Sequence, residues 1–440
     1  MIDKSTFDNR TVEFHTLGCK LNFAETSTIG KILSDRGIRR AQVGETPDIC
    51  VVNTCSVTEE ADKKCRQLIR RLVKKYPGVL MIVTGCYAQL KGDNIVKMEG
   101  VDIVLGSEQK LEIANYIDKW TASQKPTLEI TPTKDIRNFS PSCSRGDRTR
   151  YFLKVQDGCD YYCSYCTIPK ARGRSRSGTI ESLIVQVQQV AADGGKEIVI
   201  TGVNIGDFGK NTGENLIDLF KALDNVDGIE RYRISSLEPD LLTDEIIDFV
   251  ASSKHFMPHF HIPLQSGSDD ILSLMRRHYD SALFAHKVNL IVEKIPDAFI
   301  GIDLIVGARG ETDEKFNESF NFVKALPITR LHVFPYSERP GTLALNIDYV
   351  VDQHTKNLRG AQMIKFSEES LRNYTLKFIG ETRPVLFEQP HPGMPMHGFT
   401  DNYIKVEAPL DERYINQIVN VRLLEMKDDF SVKCEVLPAE

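Results

Sequence analysis

The 440-residue sequence has no apolar run approaching the roughly 18–20 residues that a membrane-spanning helix needs; its longest candidate, Phe299 to Ala308, is short and carries Asp303. A surplus of basic charge is also missing. The formal net charge is −6 and the pI about 6.0, which excludes a protein that coats nucleic acid indiscriminately and leaves room only for a locally basic face. The start, MIDKSTFDNRTVEF, lacks an apolar core of signal-peptide length and a small-residue cleavage site, so a cytoplasmic protein with no membrane partner is expected. Ten cysteines are present, yet a reducing compartment does not support a disulfide framework, and their grouping calls for metal chemistry.

What is there divides into three regions. From residue 11 to about 120, TVEFHTL, DICVVN, VLMIVT and DIVLG read as strands. FAETSTIGKILSDRG, TEEADKKCRQLIRRLVKK and AQLKGDNIVKM read as helices between them, which predicts a parallel sheet with helices on its faces over residues 1–125. Residues 126–148 hold Pro126, Pro132 and Pro141 amid Ser, Thr and charge, and read as a linker. Over 149–372 the alternation resumes with a longer repeat. Candidate strands at 151–156, 197–201, 232–236, 259–264, 299–307 and 331–336 predict an α/β partial (β/α)6 barrel, followed by a helix over 352–372. Residues 375–440 change to short strands, RPVLFEQ, YIKVEA, IVNVRLLEM and SVKCEV, the pattern of a small antiparallel barrel.

Cys159, Cys163 and Cys166 stand in a C-x3-C-x2-C spacing just after a candidate strand. Three thiolates hold three irons of a 4Fe-4S cluster and leave the fourth open, the arrangement that binds S-adenosylmethionine (SAM) in radical SAM chemistry. Tyr165, before the last cysteine, is the expected neighbour of the SAM adenine. A structural zinc site is the alternative. It wants a fourth ligand nearby and C-x2-C pairs, and neither is present.

A second trio, Cys19, Cys55 and Cys86, looks scattered, but each cysteine directly follows a candidate strand of the first region. In a parallel sheet all three would project at the carboxyl edge, where open α/β sheets bind ligands. Gly18 and Gly85 would let the backbone approach a bulky inorganic group. The plainer alternative is three buried small hydrophobes, a description that suits Cys50 and Cys434. Cys65 and Cys143 have no partners at a useful spacing.

These segments resemble the methylthiotransferase family over essentially the whole chain. The matching stretches are TLGCKLNFAET, NTCSVT, VTGCYAQ, DGCDYYCSYCTIPKARGRSRS, TGVNIGDFG, SSLEP, HIPLQSGSD, GIDLIVG and FPYSERPGT, with GFTDNYIKVEA in a TRAM-like terminal barrel. TLGCKLN and CYAQ look most like the enzymes that modify threonylcarbamoyladenosine beside the tRNA anticodon. Isopentenyladenosine enzymes tend to read YGCQMN, and the relatives that act on a ribosomal-protein aspartate tend to read LGCPKN. The stretch usually resembling GFPGET is GARGET here, with Ala308 and Arg309.

The resemblance implies two 4Fe-4S clusters and two SAM molecules. One SAM would methylate a sulfur held on the auxiliary cluster at Cys19, Cys55 and Cys86; the other would be cleaved at the cluster of Cys159, Cys163 and Cys166. The methylthio group would then replace hydrogen at carbon 2 of the adenine. A tRNA substrate and an external electron donor follow, while the sulfur donor stays unidentified.

Gly202 and Asn204, after the second barrel strand, could hold the SAM methionine moiety, and Glu238 its ribose hydroxyls. Gln265 and Ser266 lie at the fourth strand end. Ordinary polar loop residues are the alternative for each, and their place at the barrel's active face favours function. His259 and His261 alternate on one strand, and either could face the pocket or the core. For RNA, Lys170, Arg172, Arg174 and Arg176 follow the radical trio, and Arg66 and Arg70 lie on a basic helix with Lys63, Lys64, Arg71, Lys74 and Lys75. A solvated helix face would look the same. The terminal barrel is not basic, with seven Lys/Arg against eleven Asp/Glu from Thr375 onward, which leaves Phe399 and Tyr403 as stacking candidates. Two other readings stay open: an enzyme acting on a protein side chain, and a non-enzymatic RNA-binding protein with structural metal.

Overall fold

A computed structural model describes residues 10–123, 125–144 and 149–438. Its first layer is a six-stranded parallel sheet built from β1 (Thr11–Thr16), β2 (Arg39–Arg40), β3 (Ile49–Thr54), β4 (Leu80–Gly85), β5 (Ile103–Leu105) and β6 (Thr127–Glu129), in the order β2-β1-β3-β4-β5-β6. Helices α1 (Lys20–Ser34), α2 (Glu59–Lys75), α3 (Cys86–Ile95) and α4 (Ile113–Ser123) cover it. Both faces are buried, so the central strands are continuously apolar rather than alternating. Ile49, Val51 and Ile82 pack with Ile29 and Ile117 on one side, while Cys50, Val52 and Val83 pack with Ile69 and Leu72 on the other. The chain runs from β1 out to β2 and then returns to the far side of β1 with β3. This reversal opens a crevice at the carboxyl ends of β1 and β3, where such sheets take ligands.

The stretch 126–148, expected as a linker, donates strands to both neighbours. β6 extends the first sheet in register with β5, and β7 (Ser142–Cys143) pairs antiparallel with β8 (Arg150–Lys154). Edge strands this short are held by backbone hydrogen bonds and carry no periodicity that a sequence could reveal.

The central region follows the expected strand placement. After β8 come β9 (Gln156–Asp157) and β10 (Arg176–Ser177), two-residue strands paired antiparallel across the segment 158–175, then β11 (Glu197–Thr201), β12 (Arg231–Ile234), β13 (His259–Gln265), β14 (Phe299–Val306) and β15 (Arg330–Pro335). The six long strands are parallel and consecutive, but the hydrogen-bonded sheet divides between β12 and β13, where single bridges such as Ser236–His261 take over. The result is an open arc. Helices α5 (Ile168–Arg172), α6 (Ile180–Ala192), α7 (Leu216–Asp224), α8 (Asp244–Ser252), α9 (Asp269–Leu274), α10 (Ser281–Lys294), α11 (Asp313–Ala325) and α12 (Gln353–Leu376) complete the region. The open side of the arc is closed by α1, whose Phe23 and Ala24 pack on Phe152 of β8 and Val199 of β11.

The last region is a closed barrel of β16 (Thr382–Glu388), β17 (Met396–Thr400), β18 (Lys405–Ala408), β19 (Ile418–Met426) and β20 (Val432–Val436). Four of these strands match the sequence expectation. The fifth, β17, reads MHGFT behind the turn-rich HPGMP, too short and Gly-containing to register as a strand. The barrel docks under the arc, at the amino ends of its strands. Arg231 and Arg233 reach out of β12 to the carbonyls of Pro384, Phe399, Thr400 and Asp401, and Arg150 of β8 pairs with Glu388 at 2.6 Å.

Among the described residues no helix is long and apolar enough to cross a membrane.

Candidate active site

Cys19, Cys55 and Cys86 leave the sheet at the carboxyl ends of the adjacent strands β1, β3 and β4. Cys19 is the N-cap of α1 and Cys86 opens α3, so both sulfurs sit where a helix dipole favours negative charge. Gly18, at φ +106°, has no room for a side chain: a Cβ there would lie 3.0 Å from Cys55 Sγ. Asn22 ties the loops together. Its Nδ2 donates to Leu17 O at 2.7 Å and Thr54 O at 3.0 Å, and its Oδ1 lies 3.9 Å from Cys19 Sγ. Thr54 Oγ1 donates to Thr84 O at 2.5 Å, joining the ends of β3 and β4. Burial, and then the neighbouring Cys86 and Cys19, push the Cys55 thiol up to about 12. Burial raises Cys86 as well, against the pull of the Arg172 guanidinium. Thiols so placed stay protonated until a cation displaces the proton, which suits metal ligation.

The four remaining cysteines are buried and elsewhere employed. Cys65 Sγ, for example, lies 3.4 Å from Cys55 O and supports that loop from α2.

Cys159, Cys163 and Cys166 lie on the loop between β9 and α5. N–H groups converge on their sulfurs: Tyr161 N–H on Cys159 Sγ at 3.5 Å, Ile168 N–H on Cys166 Sγ at 3.4 Å, and Arg277 Nη1 on Cys163 Sγ at 3.1 Å. Donors of this kind are what cluster-bound thiolates accept, and they tune cluster potential. Burial pushes the Cys159 and Cys166 thiols up to about 12, and it raises Cys163 against the Arg277 charge. The donor set fits a 4Fe-4S cluster. Among the described residues no fourth Cys or His joins this set, as zinc would require.

A cavity of about 780 Å³ lies between the two regions. Its wall includes Cys19, Cys55 and Cys86 from the first sheet, Cys166 and Tyr165 from the radical-type loop, and strand ends from around the arc. Of the residues singled out for SAM, Tyr165, Gly202 and Gln265 reach this wall. Asn204 is buried beside it, with both polar side-chain atoms lacking a partner. Ser266 sits behind the wall at 1% exposure, where its hydroxyl accepts the Ser268 amide in the turn. Glu238 is held by Arg277 rather than left open, and burial pushes its carboxyl up to about 7 against that pull. His261 does face the cavity, 2.9 Å from Asp303, whereas His259 is buried against Phe299 and Tyr403.

Two of the RNA candidates are corrected by their burial. Arg172 is 1% exposed and bonded to Glu25, Asp157 and Asn22; Arg176 is 6% exposed and bonded to Asp157 and the Asn138 carbonyl. Both belong to a buried charge cluster, with Lys110 and Lys154, that joins the first sheet to the arc. Lys170 and Arg174 are exposed, as is Arg70 on α2, and Arg66 is half-buried against Tyr87. Phe399 and Tyr403 are committed to the barrel seam, stacked on each other at 4.7 Å under Arg150 and Arg233.

Sequence reasoning missed Arg277, Arg339 and Lys20. Arg339 reaches Ser56 and Asp62 beside Cys55, at 2.9 and 2.8 Å. Arg309, the departure within GARGET, donates to Glu338, Leu345 O and Ile347 O, which pins the segment carrying Arg339.

A family model described as the radical SAM superfamily matches residues 153–323, and one described as an uncharacterized protein family, UPF0004, matches residues 11–106. The chain is similar to the threonylcarbamoyladenosine tRNA methylthiotransferase MtaB of Bacillus subtilis (strain 168), at 39% identity over 94% of each chain. It is similar to a tRNA-2-methylthio-N(6)-dimethylallyladenosine synthase of Clostridium botulinum (strain Langeland) at 30% identity, over 93% of each. Among solved structures, the radical S-adenosylmethionine methyltransferase TsrM of Kitasatospora setae shares the fold, with a TM-score of 0.54 and 15% identity, over 74% of this chain and 75% of that one.

Proposed function

The chain belongs to the tRNA methylthiotransferases of the radical SAM superfamily, and from that premise we propose that it converts threonylcarbamoyladenosine beside the tRNA anticodon to its 2-methylthio derivative. The observation that carries this reading is the shared cavity: one cysteine trio and the end of the other wall the same space from opposite sides. Cys159, Cys163 and Cys166 would hold a 4Fe-4S cluster whose electron would serve reductive cleavage of SAM, and Cys19, Cys55 and Cys86 would hold one that carries the sulfur to be methylated.

The chain's own residues hold and enclose. Tyr165, Gly202 and Gln265 bind SAM along the wall, with Asn204 and Glu238 behind them, and Ser266 shapes the turn that presents Gln265. Arg277 is a positioning residue that links Glu238 to Cys163. The enclosing walls keep water from a radical that would otherwise be quenched. Lys170, Arg174 and Arg70, exposed, and the half-buried Arg66 meet tRNA phosphates. An external donor supplies the electron. The greater identity to the threonylcarbamoyladenosine enzyme than to the dimethylallyladenosine enzyme supports the choice of base.

Anaerobically reconstituted protein, incubated with SAM, a reductant and tRNA bearing threonylcarbamoyladenosine, is expected to yield the 2-methylthio nucleoside by mass spectrometry. Unchanged nucleosides, or modification of isopentenyladenosine alone, would overturn the assignment.

A further inference from the structure

Three charged side chains line the cavity: Arg172, Asp303 and Lys20. Arg172 is spent on Glu25, Asp157 and Asn22, and Asp303 lies 2.9 Å from His261 Nε2. Lys20 alone carries no hydrogen bond or ion pair among the described residues. It is the first residue of α1, directly after Cys19, so its ammonium enters the arc beside one trio. The titratable groups around it are Tyr403, Arg150, Asp303 and Arg233, with His259 and His332 also in reach. Arg150 and Arg233 are already paired, with Glu388 and Glu197. With Asp303 turned to His261, the Lys20 ammonium is left without a contact partner in the wall.

A second unmet group stands in the same wall. Ser235, just beyond the end of β12, is 4% exposed, lines the cavity, and its Oγ has no partner. Buried hydroxyls are nearly always satisfied, and one facing a ligand cavity is an acceptor or donor held for the ligand. A half-buried ammonium and a buried hydroxyl left open in one wall match a carboxylate. Adenine has none. A threonylcarbamoyl group on N6 carries one, with a hydroxyl beside it; a hydrocarbon substituent offers nothing to either side chain.

We propose that Lys20 and Ser235 form the subsite that receives the carboxylate of the N6 substituent, an inference that rests on the threonylcarbamoyladenosine reading. It makes Lys20 a specificity determinant, since a site built to bind a polar group rejects the analogue that lacks it.

The test compares binding of two anticodon stem-loop RNAs to the holoenzyme by fluorescence anisotropy, one with threonylcarbamoyladenosine and one with plain adenosine. The wild type should prefer the former by about tenfold or more, the size of one charge-assisted hydrogen bond. Lys20→Met should abolish the preference, leaving affinity for the plain loop and iron content unchanged, and Lys20→Arg should restore part of it. Ser235→Ala should lower it by a smaller factor. Wild-type preference retained in both Lys20→Met and Ser235→Ala overturns the subsite. If Lys20→Met loses its iron, Ser235→Ala decides. Methylthiolation of the modified loop, assayed alongside, separates the two failures: unchanged preference with an active wild type removes the subsite alone, whereas an inactive wild type removes the substrate reading and the subsite with it.

Discussion

Gly85 turns at φ +98° where a Cβ would lie 2.4 Å from Thr54 O, and this fixes the direction in which Cys86 leaves the sheet. Gly85→Ala should cost at least about 1–2 kcal/mol for the left-handed backbone alone, before the clash. It should also lower bound iron toward that of the other trio, as measured by iron and sulfide assay on reconstituted protein. Full iron content in the variant would show that the turn does not position Cys86. The cysteines and these glycines were legible because spacing and strand ends are local properties of the chain. Arg277 and Lys20 were not. Each owes its role to residues far away in sequence, Glu238 and Cys163 for one and the strands of the arc for the other, and nothing in MRRHYD or GCKLN announces that meeting. Arg172 and Arg176 misled for the same reason. A basic run after a cluster motif looks solvent-facing until Glu25, on α1 of the first region, claims Arg172 and Asp157 claims both.

At the scale of elements, the strands of the arc could be placed closely from sequence because most are largely buried and built on short apolar runs. The division between β12 and β13 could not, since it depends on how the strands splay. The segment after β15 is a further case. Arg309 holds it through Glu338 and two carbonyls, and its Arg339 braces the Cys55 loop. Arg309→Ala should raise amide hydrogen exchange over residues 336–347 by about tenfold or more, while exchange in β14 stays slow. Equal exchange in both proteins would mean that the departure from GFPGET has no part in ordering this segment.

Across the whole molecule, the seam between the first sheet and the arc is ionic at its centre. Glu25 lies 2.5 Å from Lys110 and 3.0 Å from both Lys154 and Arg172, and Asp157 lies 2.7 Å from Lys154 and 2.9 Å from Arg172. Burial alone would raise both carboxyls. The surrounding cations outweigh it and hold both well below the usual carboxylate range. Groups depressed in the folded state contribute stability above the unfolded pKa and lose it as pH falls toward the folded one. Resistance of the apoprotein to urea should therefore be steady near neutrality and decline as pH drops below about 4.5, where unfolded carboxyls take up protons. Proteolysis within residues 126–144 should rise in parallel. Stability unchanged down to about pH 3 would deny the seam this role.

The account stands most directly on one trio and Cys166 of the other lining one cavity, and a single comparison tests it: iron, sulfide and nucleoside products of the wild type against Cys19→Ala/Cys55→Ala/Cys86→Ala. The wild type should hold about eight irons and form the 2-methylthio nucleoside. The triple variant should hold about four, still yield 5′-deoxyadenosine on reduction, and form no methylthio product. Equal iron in both proteins, or methylthio product from the variant, would contradict it.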